Sequence, residues 1–155
     1  MIFVTIGTCE PFDRLICAVD AIDTPEELVV QRGNSSVALR RATVVDFLPY
    51  ERLVDYVREA RAVITHAGVG TILTALLNGA RPIVVPRTRR HGDAVDDHQL
   101  ELAERLERLG LVEVVREVDD LPDALAAAGA VNDHPVQVGS ALVSDLRSFI
   151  AASLP

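Results

Sequence analysis

Residues 61–87 read RAVITHAGVGTILTALLNGARPIVVPR. Two apolar runs, RAVITH at 61–66 and PIVVP at 82–86, bracket a glycine-rich turn and a helical stretch from about Val69 to Asn78, with Gly79 as its stop. Neither run alternates apolar with polar, so each reads as a strand buried on both faces. A strand–helix–strand order of this kind builds parallel sheets. Working outward, the same unit recurs. IFVTI at 2–6 is a strand ending in a Gly7-Thr8 turn, and a helix from about Phe12 to Ile22 carries Phe12, Leu15, Ile16 and Val19 on one face. LVVQ at 28–31 and TVVDFL at 43–48 are further strands, and Pro49–Glu59 is a helix that opens on proline. A strongly amphipathic helix, His98–Leu109, precedes the short strand VEVV, and helices are expected around 120–128 and 136–151. No linker, repeat or low-complexity tract interrupts the pattern. The prediction is a single α/β Rossmann-like domain over 1–155, a mostly parallel sheet with helices on both faces.

Composition narrows the function. Apolar residues make up 49% of the 155, enough for a sizeable core and far above the content of chains that stay disordered. Fifteen basic residues, all arginine, stand against 23 acidic ones, a net charge of −8. An acidic chain without a basic cluster is a poor nucleic-acid binder, because such binding rests on neutralising phosphates. A two-domain enzyme that closes over two substrates needs about twice this length, so the chain is expected to be one module of a larger machine. The start is apolar at once, without the basic region of a signal peptide, and no apolar run approaches the roughly 18 to 20 residues that span a bilayer. Cys9 and Cys17 form neither a CxxC nor a disulfide framework and read as reduced thiols of a cytoplasmic protein.

The segments expected at the carboxyl ends of strands carry the chemistry, since ligands of open α/β sheets bind there. HAGVGT, His66–Thr71, follows a strand and opens a helix. Gly68 and Gly70 allow close backbone approach, the helix start offers free N–H groups and a positive dipole end, and Thr71 adds a hydroxyl. A tight strand–helix connection explains the same residues without a ligand. The turn is not a dinucleotide fingerprint, because the third glycine is missing and it does not follow the first strand. In the loop Arg87–Asp97, the cluster His91, Asp93, Asp96, Asp97 and His98 matches no zinc spacing, and no metal is expected. Arg87, Arg89 and Arg90 suit a diphosphate, a partner surface or a solvated loop. Asp96 and Asp97 read as a cap for the next helix. In that helix Leu102, Leu106 and Leu109 read as core, and the Glu/Arg face of ELAERLERL as solvated. His134-Pro135 marks a turn, and Tyr50, Leu53 and Val57 are either core or partner surface.

HAGVGTILTALLNGARPIVVPR with the later DDHQ resembles the C-terminal, donor-binding domain of the family 28 glycosyltransferases, and the likeness runs from Met1 to about Leu125. By length the chain resembles the small soluble catalytic subunit of split UDP-N-acetylglucosamine-type transferases. The run RTRRHGDAVDDHQLELAERL is nearest the exopolysaccharide-biosynthesis branch. The resemblance implies the C-terminal half of a GT-B enzyme and assigns roles by position. Gly7 and Thr8 correspond to the loop facing the cleft where diphosphate and acceptor meet. Phe47 and Leu48, core by pattern alone, match residues that hold the uracil through main-chain groups. His66, Ala67, Gly68, Val69, Gly70 and Thr71 match the loop and helix start that receive the diphosphate, Arg87 is a candidate for the same charge, and His98 and Gln99 match the pair that contacts the sugar. Thr74 stands where the family commonly has a ribose-binding glutamate, and a threonine offers one hydroxyl in place of two strong acceptors.

The implied function is donor binding and catalysis in a two-chain inverting transferase. A sugar, N-acetylglucosamine or another hexose, would pass from a UDP-sugar to a lipid-diphosphate-linked acceptor in polysaccharide or glycolipid synthesis. UDP-sugar is then substrate, with no cofactor or metal, and a membrane-associated acceptor-binding subunit is the implied partner, recruiting this chain to the inner face of the membrane. The general base is expected on that partner, with His66 the weak candidate on this chain. Two alternatives stay open: a non-catalytic nucleotide-sugar sensor or assembly module, and a homo-oligomer whose own surface replaces the second chain.

Overall fold

A computed structural model describes residues 1–129. Six strands, β1 (Ile2–Thr5), β2 (Leu28–Gln31), β3 (Thr43–Val45), β4 (Ala62–His66), β5 (Ile83–Val85) and β6 (Glu113–Val114), form one sheet in the order β3-β2-β1-β4-β5-β6. Every neighbouring pair is parallel. The helices between them are α1 (Asp13–Ala21), α2 (Tyr50–Glu59), α3 (Val69–Leu77), α4 (His98–Arg108) and α5 (Leu121–Ala127). Short 3-10 turns stand at Arg89–His91, in the loop after β5, and at Val118–Asp120, before α5. The expected helix at 136–151 and the His134-Pro135 turn lie outside the described residues.

Strand periodicity divides the core into layers. Ile2, Val4, Ile6, Val30 and Ile64 pack with Leu15, Ile16 and Val19 of α1 and with Leu121 and Leu125 of α5. The alternate residues Phe3, Val29 and Val63 face the other way, against Val57 and Ala60 at the end of α2 and Ala75 of α3. The Phe3 ring stacks on Tyr56 with centroids 5.2 Å apart. Val84 and Val114 continue that layer under Ile72 and Leu76 of α3 and Leu102 and Leu106 of α4. Buried on both faces, the inner strands have no polar side to show, which is why their sequences run apolar. At the opposite end from the strands' carboxyl termini, Arg61 grips Glu26 through Nη2 at 2.6 Å and donates to the last carbonyls of α5, Leu125 at 3.3 Å and Ala128 at 2.9 Å. A cation there also meets the negative end of the helix.

Two core expectations are corrected. β3 stops at Val45, three residues short of the apolar run, because it is an exposed edge strand; Phe47 beyond it is 52% exposed, while Leu48 is half-buried against the α2 layer. Leu109 is 51% exposed, because α4 ends at Arg108 and Gly110, at φ +72°, turns the chain off the helix face. On α2 the open choice resolves residue by residue: Val57 is core, Leu53 is half-buried against it, and Tyr50 is exposed. Cys9 and Cys17 are both free and exposed.

The strand order places the topological switch point between β1 and β4, whose chain connections leave in opposite directions. A crevice opens at such a point beyond the carboxyl ends of the strands. Thr5 and Thr65 are in register there, which sets Ile6 level with His66 and brings Gly7, one residue further, against the His66 ring.

Candidate functional site

His66 ends β4, and its imidazole lies between two glycines. A Cβ built on Gly7 would stand 2.8 Å from the ring's Cε1, and one on Gly68 would stand 2.2 Å from Nε2. Gly7 also holds φ +81°, a backbone state that side chains oppose, so two independent constraints select glycine at that position. At Gly68 the φ of −77° suits any residue and the ring alone excludes a side chain. Burial and the Arg87 guanidinium lower the His66 pKa to about 4, against a smaller opposing pull from a hydrogen bond with the Thr5 backbone. His66 is therefore neutral at physiological pH.

Gly68 is the N-cap of α3, with no side chain capping the helix. The N–H groups of Val69, Gly70 and Thr71 fall in the first turn, where no helical carbonyl can reach them, and the first intrahelical bond runs from Ile72 to Gly68 at 3.0 Å. Beside them Gly70 is exposed and has no atom within 4 Å of where a Cβ would stand. The helix start thus offers donors, positive potential and open space together.

Arg87 behaves differently from a loop arginine. It is 4% exposed, its guanidinium lies over the Phe12 ring at 4.8 Å, and Nη2 donates to the carbonyls of Ile6 at 3.0 Å and Glu10 at 2.7 Å. Burial lowers its pKa while Asp93 and Glu10 act in the other direction. It pins the loop after β1 in place from the end of β5. Asn34 holds the same loop from the β2 side, donating to the carbonyls of Thr8 at 3.2 Å and Cys9 at 2.8 Å. Asn34 is a site residue missed by the motif pattern, and its one signal in the sequence is its place in the RGNSS turn after a strand.

The remaining candidates fall around this centre. Gln99, at the start of α4, accepts a hydrogen bond from the Arg87 backbone N–H at 3.1 Å, and the two border a shallow groove of about 410 Å³ with Glu10, Asp93 and Val95. His98 is exposed beside Asp96 and Glu101. Thr8 is exposed on the pinned loop, and Thr71 is half-buried at the helix start. Ala67 is buried and Val69 is half-buried against the α3–α4 core, so the polar groups these two offer a ligand are those of their backbone. Thr74 is 7% exposed and donates its hydroxyl to the Gly70 carbonyl at 2.9 Å. The cap expectation for Asp96 and Asp97 is corrected in part. Asp96 accepts from the His98 N–H at 3.1 Å, but Asp97 turns away to accept from the Arg89 N–H at 2.9 Å and closes the loop. Arg89 and Arg90 are exposed, and Arg90 pairs with Glu117 at 2.8 Å. The acidic and histidine residues of this loop are drawn into separate contacts, His91 to Thr88 and Glu117, Asp93 to Arg14. Among the described residues no three His, Cys, Asp or Glu side chains converge as metal ligands would.

The fold and site place the chain among Rossmann-like domains whose switch point carries an uncapped glycine helix start beside a neutral histidine. Residues 1–144 match the glycosyltransferase family 28 C-terminal domain, and the chain belongs to that family. Among its relatives is a UDP-N-acetylglucosamine transferase subunit, ALG13, of Yarrowia lipolytica, 31% identical over 123 residues that cover 70% of this chain and 61% of that protein. The human ALG13 subunit is 33% identical over 122 residues, 70% of this chain but 10% of the human protein. The chain thus corresponds to part of the length of these curated relatives. Solved structures agree on the fold. The glycosyltransferase of kitacinnamycin superposes over 97% of this chain and 39% of its own with a TM-score of 0.62 at 20% identity. Acinetobacter baumannii MurG covers 80% of this chain and 40% of its own, TM-score 0.56, 21% identity. The architecture is the Rossmann-like half of a GT-B glycosyltransferase. No helix among the described residues is long and apolar enough to cross a membrane.

Proposed function

We propose that this chain is the donor-binding subunit of a two-part glycosyltransferase. It takes a UDP-sugar, with N-acetylglucosamine the first choice because the ALG13 relatives carry that name, and a second chain presents the acceptor. The observation that carries the reading is the uncapped start of α3 opening beside Gly70 at the β1–β4 switch point. Departure of the nucleotide develops negative charge on its terminal phosphate. Three preoriented N–H donors at a helix start meet that charge without reorganising, the arrangement that contributes most to catalysis of this kind. The reading calls on no metal.

His66 fits a supporting part. Neutral and wedged between glycines, it can exchange a hydrogen bond with a phosphate or sugar oxygen, but a base of pKa about 4 is nearly powerless to take a proton at neutral pH. The acceptor's proton therefore goes to a base on the partner chain. Transfer with inversion to a lipid-diphosphate-linked acceptor, in exopolysaccharide or glycolipid synthesis at the cytoplasmic membrane face, completes the proposal. One observation favours the alternative of a nucleotide-sugar sensor: Thr74 is buried and its hydroxyl proton is donated to the Gly70 carbonyl inside α3, so that position presents a ribose with no carboxylate.

Calorimetric titration of the chain with UDP, against ADP and GDP at fixed salt, tests the reading. Saturable binding of UDP alone supports a uridine-nucleotide site, and equal or absent binding of all three counts against it. Turnover by the chain co-expressed with its acceptor subunit, lost in His66→Ala, then separates the transferase from the sensor.

A further inference from the structure

The loop that leads to Gln99 is fastened to α1 by an ion pair whose acidic member, Asp93, borders the same groove as Gln99. Arg14, on the first turn of α1, donates through Nε to Asp93 Oδ2 at 2.8 Å, and its Nη2 stands 2.6 Å from the same carboxylate and 3.1 Å from the Pro86 carbonyl. The two side chains are 16% and 10% exposed, the most thoroughly enclosed ion pair among the described residues. Phe12 supports it from below, with the Arg14 guanidinium 5.3 Å from the ring. The loop closes on itself through Asp93 N–H to the Thr88 carbonyl at 3.1 Å and through Asp97 to Arg89. The loop is thus closed on itself up to the α4 start, and Arg14 holds it at its middle.

We propose that the Arg14–Asp93 ion pair is a positioning device for the sugar: it seats the Arg87–Asp97 loop against α1 so that His98 and Gln99 stand at the sugar of a bound nucleotide sugar. The inference deepens the donor-site reading and rests on it. In the donor-site reading the phosphates meet the start of α3 and the uracil meets the Phe47–Leu48 segment, and neither is held in place by the Arg14–Asp93 contact. Loss of the pair should therefore weaken recognition of the sugar and spare that of the nucleotide. Misplacement of a positioning group by about 1 Å is enough for an effect of tenfold or more.

The test is calorimetry on the full chain with UDP and with UDP-N-acetylglucosamine, for wild type, Arg14→Ala, Asp93→Asn and the double variant. The expected result is UDP affinity within twofold of wild type and UDP-N-acetylglucosamine affinity lower by about tenfold in each single variant, with the double variant no worse than either. Arg14→Lys keeps the charge and the buried stem, should fold as wild type does, and should recover part of the sugar affinity. Equal losses for both ligands, or no loss for either, would overturn the proposal. A wild-type chain that binds neither ligand would instead remove the donor-site reading, and this inference with it.

Discussion

Replacing Gly68 with alanine tests the geometry at the centre of the crevice. The new Cβ would stand 2.2 Å from His66 Nε2, 2.6 Å from Cε1 and 3.1 Å from Cδ2. Ordinary contact begins at 3.4 Å, so the ring must retreat by about 1.2 Å. Gly7 also lies against the ring, where a Cβ would come within 2.8 Å of Cε1 and 2.9 Å of Nε2. Overpacking of this degree costs about 1–3 kcal/mol. The backbone itself raises no objection, since Gly68 sits at φ −77°. Stiffening of the unfolded chain by alanine and the preference of N-caps for glycine nearly cancel, leaving a residue of about 0.5 kcal/mol or less. The whole cost therefore depends on His66. Urea denaturation of Gly68→Ala, His66→Ala and the double variant should show Gly68→Ala destabilising by about 1–3 kcal/mol in the wild-type background and by about 0.5 kcal/mol or less in the His66→Ala background. Equal costs in both backgrounds would refute the placement of the ring against Gly68.

Three further outcomes follow from the same structure. Phe12→Ala removes a ring 1% exposed that underlies both Arg14 and Arg87, and should cost about 3–5 kcal/mol by denaturant titration; a cost near 1 kcal/mol would contradict its place in the core. His66 has a folded pKa of about 4 against an unfolded 6.5, so between those values the unfolded chain binds more protons and stability rises with pH. The loss on acidification should start near pH 6.5 and level off near pH 4, and thermal melts of His66→Ala should lack this component. Thr74→Val should change UDP affinity by less than about twofold by calorimetry, because the hydroxyl is spent on the Gly70 carbonyl; a tenfold loss would show that it reaches the ligand.

The sheet was legible because its physics is local: a strand buried on both faces must be apolar throughout, and RAVITH, PIVVP and IFVTI are. The glycine turn was legible for the same reason, since close approach and positive φ leave their mark in residue type. Arg87 was not. A charged residue at a strand end looks solvated in sequence, and what buries it are the carbonyls of Ile6 and Glu10, 81 and 77 residues away. Phe47 and Leu109 failed in the opposite sense. Each continues an apolar pattern past the point where its element stops, at an edge strand and at a helix end, and burial ends with the element. Asp97 misled because a short acid before a helix has two backbone targets within reach, and here the loop N–H of Arg89 takes it. The depressed pKa of His66 comes first from burial and then from Arg87, which arrives from the segment after β5, so no local pattern announces it.

The most direct measurement of the central claim is a 15N-resolved NMR titration of the chain with UDP. The account predicts that the amide signals of Val69, Gly70 and Thr71 shift together and saturate with the affinity found by calorimetry, with Gly7 and Gly68 moving beside them. Saturable binding that leaves those three amides unmoved would contradict it, because the ligand would then sit somewhere other than the open start of α3.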